Sequence, residues 1–232
     1  MLNKGDFHIH STASDGNCTP SEIITLAKKQ HIDIISITDH NTTAGIDEAI
    51  SYGKKTGVKV IPGVELSTKY NNTRVHILGY FKDDSYKNEL LQKILKNVKS
   101  HKISEIKKLL HGYLNCYYRR KALCIENGIE ILRFFGATVV LAHPVLLPRK
   151  DFNEIIKLDF DGIEAKYSSN TNADTEYFIN IAKSHGLFYT AGSDFHKLKE
   201  MYRIHGLIGN VFLNESEILD FLSKGSLTQW AK

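Results

Sequence analysis

The chain alternates short runs of β-branched and apolar residues with segments of helical periodicity, and one run after another ends in histidine or a carboxylate. DFHIH carries His8 and His10, IDIISITDH ends at Asp39 and His40, and VKVIPGVELS holds Glu65. RVHILGYF brings His76, TVVLAHP brings His143, and FYTAGSDFH brings Asp194 and His196. Asp15 follows the first run in Ser14-Asp15-Gly16. Repeated βα units imply a parallel sheet, open or closed into a barrel, and such sheets keep their chemistry at the strand ends. A single imidazole at a strand end can be a satisfied polar residue. A whole series of them, joined by carboxylates, is not what a purely structural sheet requires.

Histidine and carboxylate without paired cysteines suit Zn²⁺, Mn²⁺ or Fe²⁺ in a hydrolytic site. His8 and His10 are two apart on a strand, so both rings leave one face while Phe7 and Ile9 enter the other. Asp39 and His40 close a buried run, where an uncompensated charge is costly. Asp39 is read as orienting a histidine and His40 as a direct ligand. Glu65, flanked by Val64 and Leu66, is placed to bridge two cations. His31 and His185 end helices just before strands, where a cation offsets the helix dipole. His101 and His111 read as exposed, whereas His205 follows closely on the last ligand pair.

The spacing predicts strands at Asp6–His10, Ile32–Thr38, Val58–Leu66, Arg74–Phe81, Thr138–Ala142, Gly162–Lys166 and Leu187–Ala191. It predicts helices from Pro20, capped by Thr19, to about Lys29, and over Ala44–Lys55, Phe152–Leu158, Ala173–His185 and Glu215–Leu222. Lys69-Tyr70-Asn71-Asn72 reads as a turn, and Val211–Leu213 as a last short strand. From Tyr86 to Leu114, and again from Ala122 to Phe135, apolar residues recur at helical spacing. The chain therefore divides into a barrel-sized core, 1–85 and 136–232, and a helical insertion, 86–135. Between Lys93 and Lys121 nine basic side chains face only Glu105, a local charge of +8 in a chain of +4, leaving −4 elsewhere. Such a run is either a solvated helix face or a surface for an anionic partner such as nucleic acid.

At 232 residues with 42% hydrophobic content, the chain can bury one barrel-sized core. No apolar stretch is long enough for a bilayer, so no membrane partner is expected. The ligand motifs begin at Asp6 and His8, leaving no room for a removable leader within this sequence. Cys18, Cys116 and Cys124 have no CxxC spacing and read as reduced thiols in a cytoplasm.

The order HxH…D…TDH…E…H…AHP…SDxH resembles the PHP family, the polymerase and histidinol phosphatase superfamily of metal-dependent phosphoesterases. The resemblance spans Asp6 to His196. It implies an α/β fold, a distorted (β/α)7 barrel with a short helical insertion, and two to three divalent metal ions (Mn, Fe or Zn). Carried over by motif, His8, His10, Glu65 and Asp194 would hold one ion, and Asp15, His40 and His196 a second. Glu65, bridging, would hold a third with His76 and His143. DFHIHSTASDG, ITDHNT, IPGVELS and GSDFH are most similar to the branch with nucleoside 3′,5′-bisphosphate phosphatases and 5′-to-3′ RNA exonucleases. Asn41 departs from that branch, which usually carries aspartate after the TDH histidine.

The resemblance implies hydrolysis of a phosphomonoester by a metal-bound hydroxide, on a small nucleotide. Lys166, Arg149, Arg203 and His205 are the candidates to grip phosphate or protonate the leaving oxygen. A 5′-to-3′ exonuclease or phosphodiesterase on RNA or DNA ends is the enzymatic alternative, and Tyr113, Tyr117 and Tyr118 the only stacking candidates beside the basic run. A non-catalytic, metal-binding regulatory domain is the third reading. No nucleophile elbow or Walker loop is present in the sequence. The oligomeric state is not legible.

Overall fold

The computed structural model describes residues 2–114, 122–198 and 205–231; the sequence candidates Arg203, Tyr117, Tyr118, Arg119, Arg120 and Lys121 lie outside the described residues. The strands are β1 (Lys4–Ile9), β2 (Ile34–Ile37), β3 (Lys59–Tyr70), β4 (Thr73–Phe81), β5 (Ala137–Leu141), β6 (Gly162–Tyr167), β7 (Phe188–Gly192) and β8 (Leu213–Asn214). They form one sheet in the order β7-β6-β5-β4-β3-β2-β1-β8. Pairing is parallel through β1, β2 and β3 and through β5, β6 and β7, while β4 runs antiparallel to both neighbours. Just past β7 the chain returns to β1: Ile9 bridges Phe195 in parallel, His10 N–H donates to Phe195 O at 2.9 Å, and Asp194 N–H donates to His8 O at 2.8 Å. The result is the distorted, nearly closed barrel expected, with the short β8 added antiparallel at the other end of β1.

Local chemistry accounts for the element boundaries. Helix α1 (Pro20–Lys29) opens with a reciprocal capping box between Thr19 and Glu22 and with Pro20 in its first turn. Helix α2 (Ile46–Thr56) ends on Gly57, whose φ of 84° needs no Cβ. The expected turn at residues 69–72 shrinks to Asn71-Asn72, because Lys69 pairs with Arg74 and Tyr70 with Thr73. The long helical stretch from Tyr86 divides into α3 (Glu89–Lys99) and α4 (Ile103–Leu110), parted where His101 takes a φ of 55°. Four further helices follow: α5 (Ile125–Phe134), α6 (Arg149–Ile155), α7 (Asn172–Ser184) and α8 (Glu215–Lys224), the last capped by Asn214. We propose that residues 86–135 are an insertion into a barrel formed by 1–85 and 136–232. One apolar cluster runs unbroken from α3 and α4 through α5 to the wall strands.

The β3–β4 hairpin has two distinct faces. Leu66, Thr68 and Ile77 lie under α5, so close that a Cβ on Gly128 would fall 2.6 Å from Thr68 and 3.0 Å from Ile77. The alternation then puts Glu65, Ser67 and Lys69, with Leu78, His76 and Arg74 opposite, on the other face. Below the site that face is filled by Ile34, Ile61, Leu78, Tyr80 and Val140, closed off by Phe221 of α8. Phe7 joins this plug, 4.7 Å ring to ring from Phe221, while Ile9 packs with α1. They do not share a side as expected, because the β1–β2 register shifts between Asp6 and Ile9.

Candidate metal centre

Six strands, with the loop after β1, deliver His8, His10, Asp15, His40, Glu65, His76, His143, Asp194 and His196 to one place. Glu65 is its hub, with only 1% of its surface exposed. Its Oε1 lies 2.9 Å from His76 Nδ1 and 3.0 Å from His143 Nε2. Its Oε2 lies 2.9 Å from His40 Nδ1, 3.2 Å from His10 Nε2 and 3.4 Å from His8 Nε2. Asp194 Oδ1 meets the same two rings, at 3.1 Å from His10 and 3.3 Å from His8. Asp15 approaches from the side, 3.5 Å from both His10 Nδ1 and His196 Nε2.

These ligand atoms fall into overlapping sets, each able to surround one ion: His8, His10, Glu65 and Asp194; His10, Asp15, His40 and His196; and His40, Glu65 and His76. The fit to cations is written in unmet polar atoms. Glu65 Oε2 and His40 Nδ1 are buried and 2.9 Å apart, yet neither makes a hydrogen bond. His8 Nε2 and His10 Nε2 face each other at 3.1 Å, an approach that needs a shared proton or a cation.

Electrostatics keeps the carboxylates anionic. Burial favours the neutral form of Glu65, but the charges of His76, His8 and His40 hold its carboxyl well below the usual range. Asp194 is likewise penalised by burial and held well below by His8, His10 and His205. Asp15 is lowered despite its burial, through His196, His40 and His10. His8 loses affinity for a proton through burial, yet Glu164, Asp194 and Glu65 carry it well above the ordinary imidazole value. Burial prevails for His76, which is lowered. Strain marks the same place: His143 has a φ of 29° and Asp194 of 52°, conformations costing on the order of 1–3 kcal/mol outside glycine.

Several supporting groups are not evident from the sequence. Glu164 of β6 is fully buried; its carboxylate sits 3.0 Å from His8 Nδ1 and accepts His143 N–H at 2.7 Å. Tyr167 O–H donates to Asp194 Oδ2 at 2.8 Å, its phenol pushed up by burial and by Asp194 so that it stays a donor. The available signal for Glu164 was its setting in Gly162-Ile163-Glu164-Ala165, the same carboxylate in an apolar strand that singled out Glu65.

Asp39, expected to orient a histidine, instead accepts Ser11 N–H and Oγ–H at 2.7 and 2.6 Å and Ser14 Oγ–H at 2.5 Å. It therefore fixes the loop that carries Asp15. Asn41 clamps β3, accepting Ser67 N–H and donating to Ser67 Oγ, both at 2.9 Å. A carboxylate at position 41 could not donate that second bond.

Among the four candidate substrate contacts, His205 stands beside the cluster, 3.0 Å from Asp194 Oδ2, its ring centroid 4.1 Å from that of His196 at a 31° tilt. Lys166 does not. The register of β6 shifts between Glu164 and Lys166, and the ammonium pairs with Glu217 of α8 at 2.7 Å. Arg149 lines a separate cleft of about 270 Å³ with Phe152, Tyr177 and Phe178. His185 caps α7, Nδ1 lying 3.0 Å from Ile181 O, as a helix-end residue should. A cleft of about 650 Å³ leads away from Asp15, His40 and His76, between the β3–β4 hairpin and the α3–α4 corner. Among the described residues no helix is long and apolar enough to cross a membrane.

The PHP domain family matches residues 6–212. A 5′-3′ exoribonuclease from Haemophilus influenzae is 28% identical over 250 residues, covering 84% of this chain and 91% of its own. A 3′,5′-nucleoside bisphosphate phosphatase from Chromobacterium violaceum is 25% identical over 251 residues, covering 82% and 86%. Among solved structures, a protein from Bifidobacterium adolescentis assigned as a metal-dependent phosphoesterase superposes with a TM-score of 0.75 at 22% identity, covering 95% and 96%; at that identity it speaks to the fold.

Proposed function

This chain belongs to the PHP domain family, and we propose that within it the chain is a phosphatase of small nucleotides, such as a nucleoside 3′,5′-bisphosphate. It is a metal-dependent phosphoester hydrolase. The observation that carries the reading is the Glu65 hub, one buried carboxylate shared by five imidazoles. The reading assigns two to three divalent ions of Mn, Fe or Zn. His8, His10, Glu65 and Asp194 would hold one; Asp15, His40 and His196 another; Glu65, His76 and His143 a third. When bound, such ions supply Lewis acidity that activates water and neutralises charge on phosphoryl oxygens. The chain's own part is to fix the ligands and the substrate. Glu164 orients the His8 ring, Tyr167 orients Asp194, and Asp39 ties down the loop of Asp15. His205, next to Asp194 and His196, is placed to hold an oxygen of the substrate phosphate.

Glu164→Gln keeps the shape but cannot accept from both His8 and the His143 amide. It should lower activity or metal affinity about 10- to 100-fold, the usual loss for a group that orients a ligand. Wild-type activity and metal content in this variant would remove Glu164 from the machinery.

The size of the adjoining cleft, about 650 Å³, is that of a small-molecule site. A second reading, 5′-to-3′ cleavage of RNA ends, is favoured by the basic run Lys93–Lys121 and by the name of the Haemophilus influenzae relative. Comparing kcat/KM for adenosine 3′,5′-bisphosphate with that for a 5′-phosphorylated oligoribonucleotide separates the two. The bisphosphate should be preferred, and Lys102→Gln with Lys107→Gln, outside the cleft lining, should make little difference to it at low or high salt. A strong preference for the oligonucleotide, falling steeply with salt as counterion release demands, would reverse the choice.

A further inference from the structure

Beyond the metal ligands, the inner face of the β3–β4 hairpin continues outward with a pair that the fold itself does not explain. Ser67 pairs across the strands with His76, and the next pair on that face is Lys69 with Arg74. Like charges directly opposite on a ladder destabilise it. Among the described residues neither side chain makes an ion pair. Both side chains line the cleft that leads from His40 and His76, and Lys99 and His101 line it from the α3–α4 corner. The two walls therefore present basic groups to a common space, and among the described residues that line it only Asp15, at the metal end, is acidic.

The spacing is set by the strand. Two residues along an antiparallel strand advance about 7 Å, so Arg74 stands about one such step beyond His76. A substrate whose reacting phosphate lies at the metal centre would bring its next phosphate, a nucleotide's length away, to these cations.

We propose that Lys69 and Arg74, with Lys99 and His101 facing them, form a second phosphate subsite that holds the non-reacting phosphate of the substrate. The ligand is a nucleotide with two phosphate groups, whether free or the end of an oligonucleotide. The anion supplies the counter-charge that the hairpin lacks, and its binding orients the scissile ester without touching the metal ligands. This inference rests on the phosphoester reading above, which concerns the reacting phosphate, and adds what recognises the other one.

The test is the double variant Lys69→Gln/Arg74→Gln. The ratio of kcat/KM for adenosine 3′,5′-bisphosphate to that for p-nitrophenyl phosphate, which has no second phosphate, should fall about 10- to 100-fold, the usual worth of hydrogen bonds to a charged group. The loss should appear in KM. Equilibrium binding of adenosine 3′,5′-bisphosphate to the metal-free protein, which needs no turnover, should weaken by a similar factor. Thermal unfolding should shift upward or stay in place, since a like-charge pair has been removed. Running the same ratio with a 5′-phosphorylated diadenylate tells the two sources apart: a larger loss there assigns the subsite to an oligonucleotide end, a larger loss with the bisphosphate to a free nucleotide, and either supports the proposal. An unchanged ratio with unchanged binding would overturn it. So would an equal loss on both substrates with a lowered Tm, which would make the pair part of the scaffold. If wild-type protein hydrolysed p-nitrophenyl phosphate but no nucleotide, the nucleotide reading would fail, and the binding measurement would still decide the subsite.

Discussion

Glu65→Gln should reduce phosphoester hydrolysis by about a thousandfold or more, with metal content falling alongside. The substitution is nearly isosteric, so the barrel keeps its packing. What it removes is the single negative charge against which His8, His10, His40, His76 and His143 are all placed within 3.4 Å. An amide offers one acceptor where the carboxylate offers two, and its NH₂ would point a donor at imidazole nitrogens or cations. Because both oxygens of Glu65 are shared between ligand sets, one substitution disturbs more than one ion position. His185→Gln is the matched control, since that ring only caps α7 and is exposed. Rate and metal content measured side by side in the two variants decide the matter. Equal losses in both, or a Glu65→Gln protein with native turnover, would break the link between this hub and catalysis.

Much of this arrangement was legible because ligand residues sit at the ends of β-branched runs, where a strand both buries its body and exposes its end to the site. His143 shows why: Thr138 to Ala142 are apolar enough to form a central strand, and Pro144 prevents its continuation. The helix starts at Thr19 and Asn214 were equally plain, since a capping box is a local, short-range pattern. What periodicity could not supply was anything depending on strand direction or irregular pairing. The reversal of β4 follows from a two-residue turn at Asn71-Asn72, with Asn71 at a φ of 52° that asparagine tolerates. A bulge in β6 sent Lys166 to Glu217 although strict alternation aims it with Glu164.

Partners distant in sequence were the other blind spot. Asp39 answers to Ser11 and Ser14, which lie on a loop of another βα unit, and nothing around Asp39 announces them. Glu164 was hidden in plain view: its role depends on His8, 156 residues away. Lys69 read as part of a polar turn because the hairpin was expected to end sooner. Its pairing with Arg74 appears only once the register is known.

If this cluster hydrolyses phosphoesters through bound divalent metal, exhaustive chelation must silence it. Purified protein should contain about two to three divalent ions per chain, at about three or four protein ligands per ion. Dialysis against a strong chelator should remove them and abolish turnover of p-nitrophenyl phosphate. Unmet charge in the emptied cluster should also lower Tm, because ions that bind only the folded chain stabilise it by mass action. Adding Mn²⁺ back should restore both. Full turnover by protein shown to be metal-free would mean that hydrolysis does not run through metal held by this cluster.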